Sequence, residues 1–119
     1  MCYVIIPTEQ FEKDIKYYQN KKKYKSIVDD LNDIIEELEK GNLLGDCIND
    51  IKLDNENHTY KVRAANSDIK VGKSNGYRLI YYVVKDDKEI YLLTVYFKKE
   101  DKQIPNKDDI RKLIEEYCA

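Results

Sequence analysis

The chain has 119 residues, of which 42% are apolar and 37% are charged, and its formal net charge is −2. This length and composition predict one domain, residues 1–119, with a single modest core. Three scattered cysteines without a CxxC pair and a lone histidine argue against a metal site, and no apolar run is long enough for a membrane span, so a cytoplasmic protein without metal or cofactor is expected.

The first third of the chain is predicted to form one strand and two antiparallel helices. The segment CYVIIP (2–7) is strand-like and ends at Pro7. Thr8 suits a helix N-cap, because its hydroxyl can accept from backbone N–H groups of the first turn. A second helix follows the polar stretch 19–23 and is expected to end at Gly41. Its apolar stripe has helical spacing and consists of Tyr24, Ile27, Val28, Leu31, Ile34, Ile35 and Leu38.

The rest of the chain is predicted to be rich in strands. Residues 42–59 contain many turn formers and are expected to be irregular, with His58 in a surface turn. Strands are predicted at 60–65, 77–84 and 90–98, and the short link KDDK (85–88) makes the last two antiparallel neighbours. Asn106 then suits the N-cap of a final helix. The order β-α-α-β-β-β-α predicts an antiparallel sheet with helices on one face.

Alternation along the strands predicts which side chains share a face. Lys61 and Arg63 point to the same side of their strand. Arg78 is expected to lay its stem along apolar surface with the guanidinium in solvent. On the last strand, the polar face is expected to contain Thr94, Tyr96 and Lys98. The apolar face is expected to contain Tyr91, Leu93, Val95 and Phe97.

Charge is distributed unevenly along the chain. Residues 1–59 contain 8 Lys and Arg against 13 Asp and Glu, whereas residues 60–102 contain 10 against 6. An anionic partner is therefore expected on the strand-rich half. Cations on the open side of an antiparallel sheet can simply be solvated. The alternative is an anion site, which suits arginine because its planar guanidinium binds phosphate oxygens through parallel hydrogen bonds.

Four segments resemble RelE-like toxins of bacterial and archaeal toxin–antitoxin modules. In chain order they are LLGDCI (43–48), YKVRAANSD (60–68), GKSNGYRLIYYV (72–83) and IYLLTVYFKKE (90–100). The resemblance covers nearly the whole chain, with Asn75 where such toxins more often have glycine. It implies a RelE-like α+β fold: a mainly antiparallel four-stranded sheet with a two-helix hairpin packed on one face and a C-terminal helix.

The resemblance also implies an activity. RelE-like toxins are metal-independent endoribonucleases that cleave mRNA, often in the ribosomal A site, and a cognate antitoxin protein holds them inactive. The basic residues that it implies for the active site are Lys61, Arg63, Arg78 and either Lys98 or Lys99. Tyr96 is a further catalytic candidate on chemical grounds, and the candidate RNA-binding residues are Lys70 and Lys73 of the basic loop together with Lys99.

Roles for these residues follow from the chemistry of RNA cleavage, in which the 2′-OH attacks the adjacent phosphate. Arg63 and Arg78 are the candidates for stabilising the phosphate, and Lys61 is the candidate base. Tyr96 or Lys98 is the candidate acid. The histidine or tyrosine that several relatives carry beyond the last strand is not evident in KKEDKQIPN (98–106). That absence makes a catalytically silent antitoxin-binding module an alternative to the nuclease. A ParE-like inhibitor of DNA gyrase, which has the same fold, is the other alternative.

Overall fold

A computed structural model of the chain describes residues 2–49, 51, 57–99 and 104–118. The elements in these ranges are β1 (Val4–Pro7), α1 (Glu9–Asn20), α2 (Ile27–Glu39), β2 (Asp46–Cys47), β3 (His58–Ala64), β4 (Tyr77–Val84), β5 (Glu89–Phe97) and α3 (Lys107–Tyr117). Apart from β2, the elements follow the predicted order. The bounds of the other four strands lie within two residues of the predicted bounds. Within the described ranges, none of the helices combines the length and apolar character needed to cross a membrane.

The strands form one mixed sheet in the order β1-β5-β4-β3-β2. Strands β2 to β5 are antiparallel neighbours, whereas β1 runs parallel to β5 at one edge. The prediction of four strands is wrong, because Asp46 and Cys47 pair with Lys61 and Tyr60 as a fifth, edge strand. Two residues are too few to produce a periodic pattern that a sequence could reveal. Residues 50 and 52–56 of the stretch expected to be irregular lie outside the described ranges, and His58 belongs to β3 rather than to a turn.

Helices cover both faces of the sheet. Helices α1 and α2 pack on one face, as predicted, through a core that includes Phe11, Tyr18, Leu31 and Leu38. Helix α3 packs on the opposite face, so the prediction that all helices share one face is wrong for α3. Its side chains Ile110 and Ile114 belong to a second apolar cluster with Ile80, Tyr82, Leu93 and Tyr96. Strand β4 explains this arrangement, because residues on both of its sides are apolar and buried, and both faces therefore need cover.

A β-bulge in β5 shifts the alternation of its side chains. Ile80 of β4 is opposite Thr94, but the next residue, Tyr81, is opposite Leu92. Leu93 is therefore an extra residue in β5 relative to β4. An inserted residue restarts the alternation, so side chains before and after it follow opposite parity.

The bulge decides which predicted face assignments hold. Val95 and Phe97, which follow the bulge, contact the core under α1 and α2. Tyr96 shares a face with Arg63 and Arg78, as predicted, but α3 covers part of that face and Tyr96 is buried. Tyr91 and Leu93 also contact the α3 cluster, so their assignment to the same apolar face as Val95 and Phe97 is wrong.

Side chains of α1 bind the outer edge of β5 beyond the point where β1 ends. Thr8 caps α1 by accepting from the Phe11 N–H at 3.2 Å, and its hydroxyl also contacts the carbonyl oxygen of Leu92 at 2.8 Å. Asp14 accepts from the Val95 N–H at 3.2 Å and from the Thr94 hydroxyl. The Tyr18 hydroxyl accepts from the Phe97 N–H at 2.8 Å. Helix α1 thereby satisfies strand groups that would otherwise form an open edge.

Candidate anion-binding site

The sheet register brings predicted site residues into one row across three strands. Arg63 of β3 is opposite Arg78 of β4, and Arg78 is opposite Tyr96 of β5. Directly opposed residues of antiparallel strands point to the same side, with Cβ atoms about 4.5–5.5 Å apart. Lys61 lies two residues from Arg63 and therefore points the same way. We call Lys61, Arg63 and Arg78 the basic cluster, with Tyr96 beside it.

Arg78 is only 6% exposed, so the expectation of a guanidinium in solvent is wrong. Its Nη1 donates to the carbonyl oxygens of Lys73 at 3.0 Å and Tyr77 at 3.2 Å, and its Nη2 donates to that of Ser74 at 2.8 Å. A buried charge is tolerated only when its donors are hydrogen-bonded. Arg78 thus closes the helical turn Lys73–Asn75 against the start of β4, where carbonyl dipoles favour a cation.

The charge of Arg78 is not neutralised by a carboxylate within the part of the chain that the structure describes. Burial lowers the pKa of Arg78 and the nearby Arg63 guanidinium lowers it further, while Tyr96 acts in the opposite direction. Arginine has five N–H donors, and the three bonds to carbonyl oxygens leave two for another ligand. An anion placed between Arg63 and Arg78 would relieve their repulsion.

Tyr96 is also buried, and burial raises the pKa of its hydroxyl while Arg78 opposes the rise. The hydroxyl therefore keeps its proton at neutral pH. Lys98 approaches the same place, because its Nζ donates to the Ser74 carbonyl oxygen at 3.1 Å. That oxygen also accepts from Arg78, so two cations meet at one turn.

The remaining predicted basic residues differ from Arg78 because they are exposed to solvent. Lys61 and Arg63 are exposed, and so are Lys70, Lys73 and Lys99. Lys70 follows the turn Ser67–Ile69 with φ of 56°, whereas Lys73 lies in the turn that Arg78 closes. No hydrogen bond or ion pair joins the side chain of any of the last three lysines to the basic cluster in the described ranges.

Asp46 is an acidic residue at the site that was not predicted from the sequence. Strand β2 places it opposite Lys61, so both side chains share the face of the basic cluster. Gly45 is the only sequence signal for this approach. Its φ is 94°, and a Cβ atom built on it would lie 2.3 Å from the carbonyl oxygen of Lys61. Only glycine permits β2 to come this close to β3.

The site contains cationic, hydroxyl and carboxylate groups. Across the described ranges, His, Cys, Asp and Glu side chains form no group of three that could hold a metal ion. The row contains two opposed guanidinium groups, one buried and one exposed. Around them lie Lys61, Asp46 and Tyr96. These groups can bind an oxyanion and exchange protons with it.

Comparison with known proteins does not identify a family. No family model matches the chain, and no curated protein matches it in sequence. The likeness to RelE-like toxins therefore rests on the four quoted segments and stays a prediction.

Proposed function

We propose that this protein is the toxin of a type II toxin–antitoxin module and acts as a metal-independent endoribonuclease that cleaves mRNA in the cytoplasm, linked to translation. The observation that supports it best is the pairing of Arg63 with the buried Arg78, whose own charge is not neutralised by a carboxylate in the described part of the chain. Two adjacent guanidinium groups repel each other until an anion binds both, and a phosphodiester fits this requirement. The RelE-like segments suggest RNA as the source of the phosphate.

Arg63 and Arg78 would bind the non-bridging oxygens of the scissile phosphate. The 2′-OH attacks phosphorus, the bond to the 5′-oxygen breaks, and the products are a 2′,3′-cyclic phosphate and a 5′-hydroxyl. Negative charge increases on the phosphate oxygens as the 2′-oxygen attacks. Cations held in place beforehand stabilise that charge without rearranging, and three carbonyl oxygens hold Arg78 in this way.

Proton transfer needs a base at the 2′-OH and an acid at the 5′-oxygen. Lys61 and Asp46 are the candidates for the base, since they lie side by side beyond Arg63. A carboxylate can accept the proton directly, whereas a lysine must first lose its own. Tyr96 is one candidate for the acid, because its hydroxyl is protonated at neutral pH and the Arg78 cation opposes the rise in its pKa that burial causes. Lys98 is the other candidate, as its ammonium group is held at Ser74.

Cleavage of a 5′-labelled mRNA, with and without ribosomes, tests the proposal. Arg63→Ala is the most informative variant, because Arg63 is exposed and its loss leaves the core intact. We expect cleavage to fall on the order of 100- to 1000-fold, as for loss of one transition-state donor. Lys85→Ala removes an exposed cation in the β4–β5 turn, away from the site, and serves as the matched control. Equal cleavage by wild type and Arg63→Ala would contradict the assignment.

One feature favours the silent antitoxin-binding module as a second candidate. Arg78 already donates three hydrogen bonds to backbone carbonyls, and an arginine that closes a turn needs no phosphate to explain it. Expression followed by mapping of RNA ends and of plasmid supercoiling separates the candidates. New ends within translated messages support the nuclease, and altered supercoiling supports ParE-like action on gyrase. Neither effect, with retained binding to an antitoxin, supports the silent module.

A further inference from the structure

A groove open to solvent lies between α1 and α2, on the side of the molecule opposite the basic cluster. Its volume is about 370 Å³. Phe11 and Leu31 form its floor, and Ile15, Ile35 and Val28 form its walls. Val28 remains 49% exposed, whereas the other apolar residues of α2 are buried or half-buried. An apolar groove with an exposed aliphatic wall is typical of a surface that another chain covers.

Helix α2, which forms one side of this groove, is acidic, although the residues that line the groove from α2 are the apolar Val28, Leu31 and Ile35. Helix α2 contains no Lys or Arg. Its carboxylates are Asp29, Asp30, Asp33, Glu36, Glu37 and Glu39. Residues four apart lie on the same side of a helix, so Glu39 is beside Ile35 and Glu36 lies on the ridge that begins at Val28. Asn32 of that ridge donates to Glu36 at 3.0 Å.

The α1 side adds little net charge to the groove. Glu12 and Lys16 both line it, and their opposite charges balance. The groove therefore combines an apolar floor with one negative rim. A ligand that gains from both features must present an apolar stripe beside positive charge.

We propose that this groove binds an amphipathic helix of a protein partner, whose apolar stripe is flanked by Lys and Arg. Apolar side chains at helical spacing would fill the space between Ile15 and Ile35. The flanking cations would meet Glu36 and Glu39 on the α2 rim. The groove and the basic cluster lie on opposite faces of the sheet. Binding of a helix in the groove therefore does not depend on the nuclease activity.

Other occupants are disfavoured by the charge of α2. A second copy of this chain would place the same surface against itself, and two acidic helices would then repel each other. Nucleic acids and anionic membrane surfaces are repelled by the same carboxylates. A basic helix is attracted by the rim and held by the apolar floor.

Peptide binding to the full-length protein tests the proposal. The probe is a fluorescent helical peptide of about five turns, roughly 18 residues, with leucines at i, i+4, i+7 and i+11 and Lys and Arg beside them. A matched peptide carries Glu in place of Lys and Arg. Fluorescence anisotropy should give saturable binding of the basic peptide, at least about tenfold tighter than that of the acidic one. The preference should shrink when NaCl is raised from about 0.05 M to about 0.5 M, because salt screens exposed charges.

Variants of α2 locate the binding surface. The double change Glu36→Lys and Glu39→Lys should reverse the preference between the two peptides, whereas Asp33→Lys, on the far side of α2, should not. Val28→Asp removes an exposed apolar wall without touching the buried core, and should weaken the basic peptide about tenfold. Circular dichroism of each variant confirms that the fold is retained.

Three results would overturn the proposal. One is the absence of saturable binding by the basic peptide, and another is unchanged binding after the Glu36 and Glu39 reversals. The third is a dimer in sedimentation equilibrium that Val28→Asp dissociates, because the groove would then belong to a second copy of the chain.

Discussion

Arg78→Ala is expected to destabilise the fold as well as the site. The change removes hydrogen bonds to three carbonyl oxygens, with donor–acceptor distances of 2.8–3.2 Å. Hydrogen bonds to a charged group contribute about 1.5–3 kcal/mol each. Several effects reduce the sum: a buried cation and its repulsion by Arg63 are also removed, the exposed turn can bind water, and Ser74 keeps its bond to Lys98. We therefore expect a net loss of about 2–3 kcal/mol in the free energy of unfolding.

Urea unfolding followed by circular dichroism measures this loss, since the chain has no tryptophan. Arg63→Ala is the matched control, because it removes the same charge from an exposed position and should change stability by no more than about 0.5 kcal/mol. Arg78→Lys keeps the charge but not the forked donors, so an intermediate loss of about 1–2 kcal/mol is expected.

Equal unfolding midpoints for the Arg78 and Arg63 alanine variants would refute this reasoning. Arg78 would then contribute nothing to the closure of the turn Lys73–Asn75, and its burial would have no structural role. A loss of cleavage without loss of stability in Arg78→Ala would instead assign the residue to the phosphate alone.

Further predictions concern the edge of β5 and the approach of β2. Burial raises the pKa of Asp14 above 3.8, against the hydrogen bonds that it accepts. Because the folded pKa exceeds the unfolded one, the stability linked to Asp14 is full below pH 3.8 and decreases as the pH rises through the folded pKa. The difference in unfolding free energy between wild type and Asp14→Asn should therefore increase as the pH falls from about 7 to about 4. A difference that stays constant over this pH range would contradict the prediction. Gly45→Ala should cost about 2 kcal/mol or more in denaturant unfolding, because its φ is 94° and the new Cβ meets the Lys61 carbonyl. Gly72→Ala, where a Cβ meets nothing within 4 Å, should change stability little; similar losses for both would show that the close approach is not the cause.

Predictions based on neighbouring residues agree well with the structure. Thr8 caps α1 as expected, and Asn106 caps α3 in a reciprocal bond with Asp109. Strand β4 has the predicted bounds, and the link at 85–88 joins antiparallel strands. Each of these features depends on chemistry within a few residues of chain, which a sequence displays directly.

Predictions about the candidate site were less complete, because they depended on strand register. The sequence showed that Lys61 and Arg63 lie on the same side of their strand and that an arginine lies near the start of β4. It did not show that Arg78 donates to backbone carbonyl oxygens, because any neighbouring donor can bind the carbonyl groups of a turn. Asp46 was missed because its strand has only two residues. The bulge at Leu93 was not predicted, because an inserted residue cannot be recognised in an otherwise apolar run.

The sequence alone determined where the three helices and four of the five strands form, how α1 and α3 begin, and that cations gather in the second half of the chain. These properties follow from local backbone preferences and from composition. Only the tertiary structure decided that β1 pairs in parallel with β5, that α3 covers the face opposite α1 and α2, and that Asp46 meets Lys61. Such pairings join residues far apart in the chain, and their outcome depends on which surfaces must be buried together, which no short segment specifies.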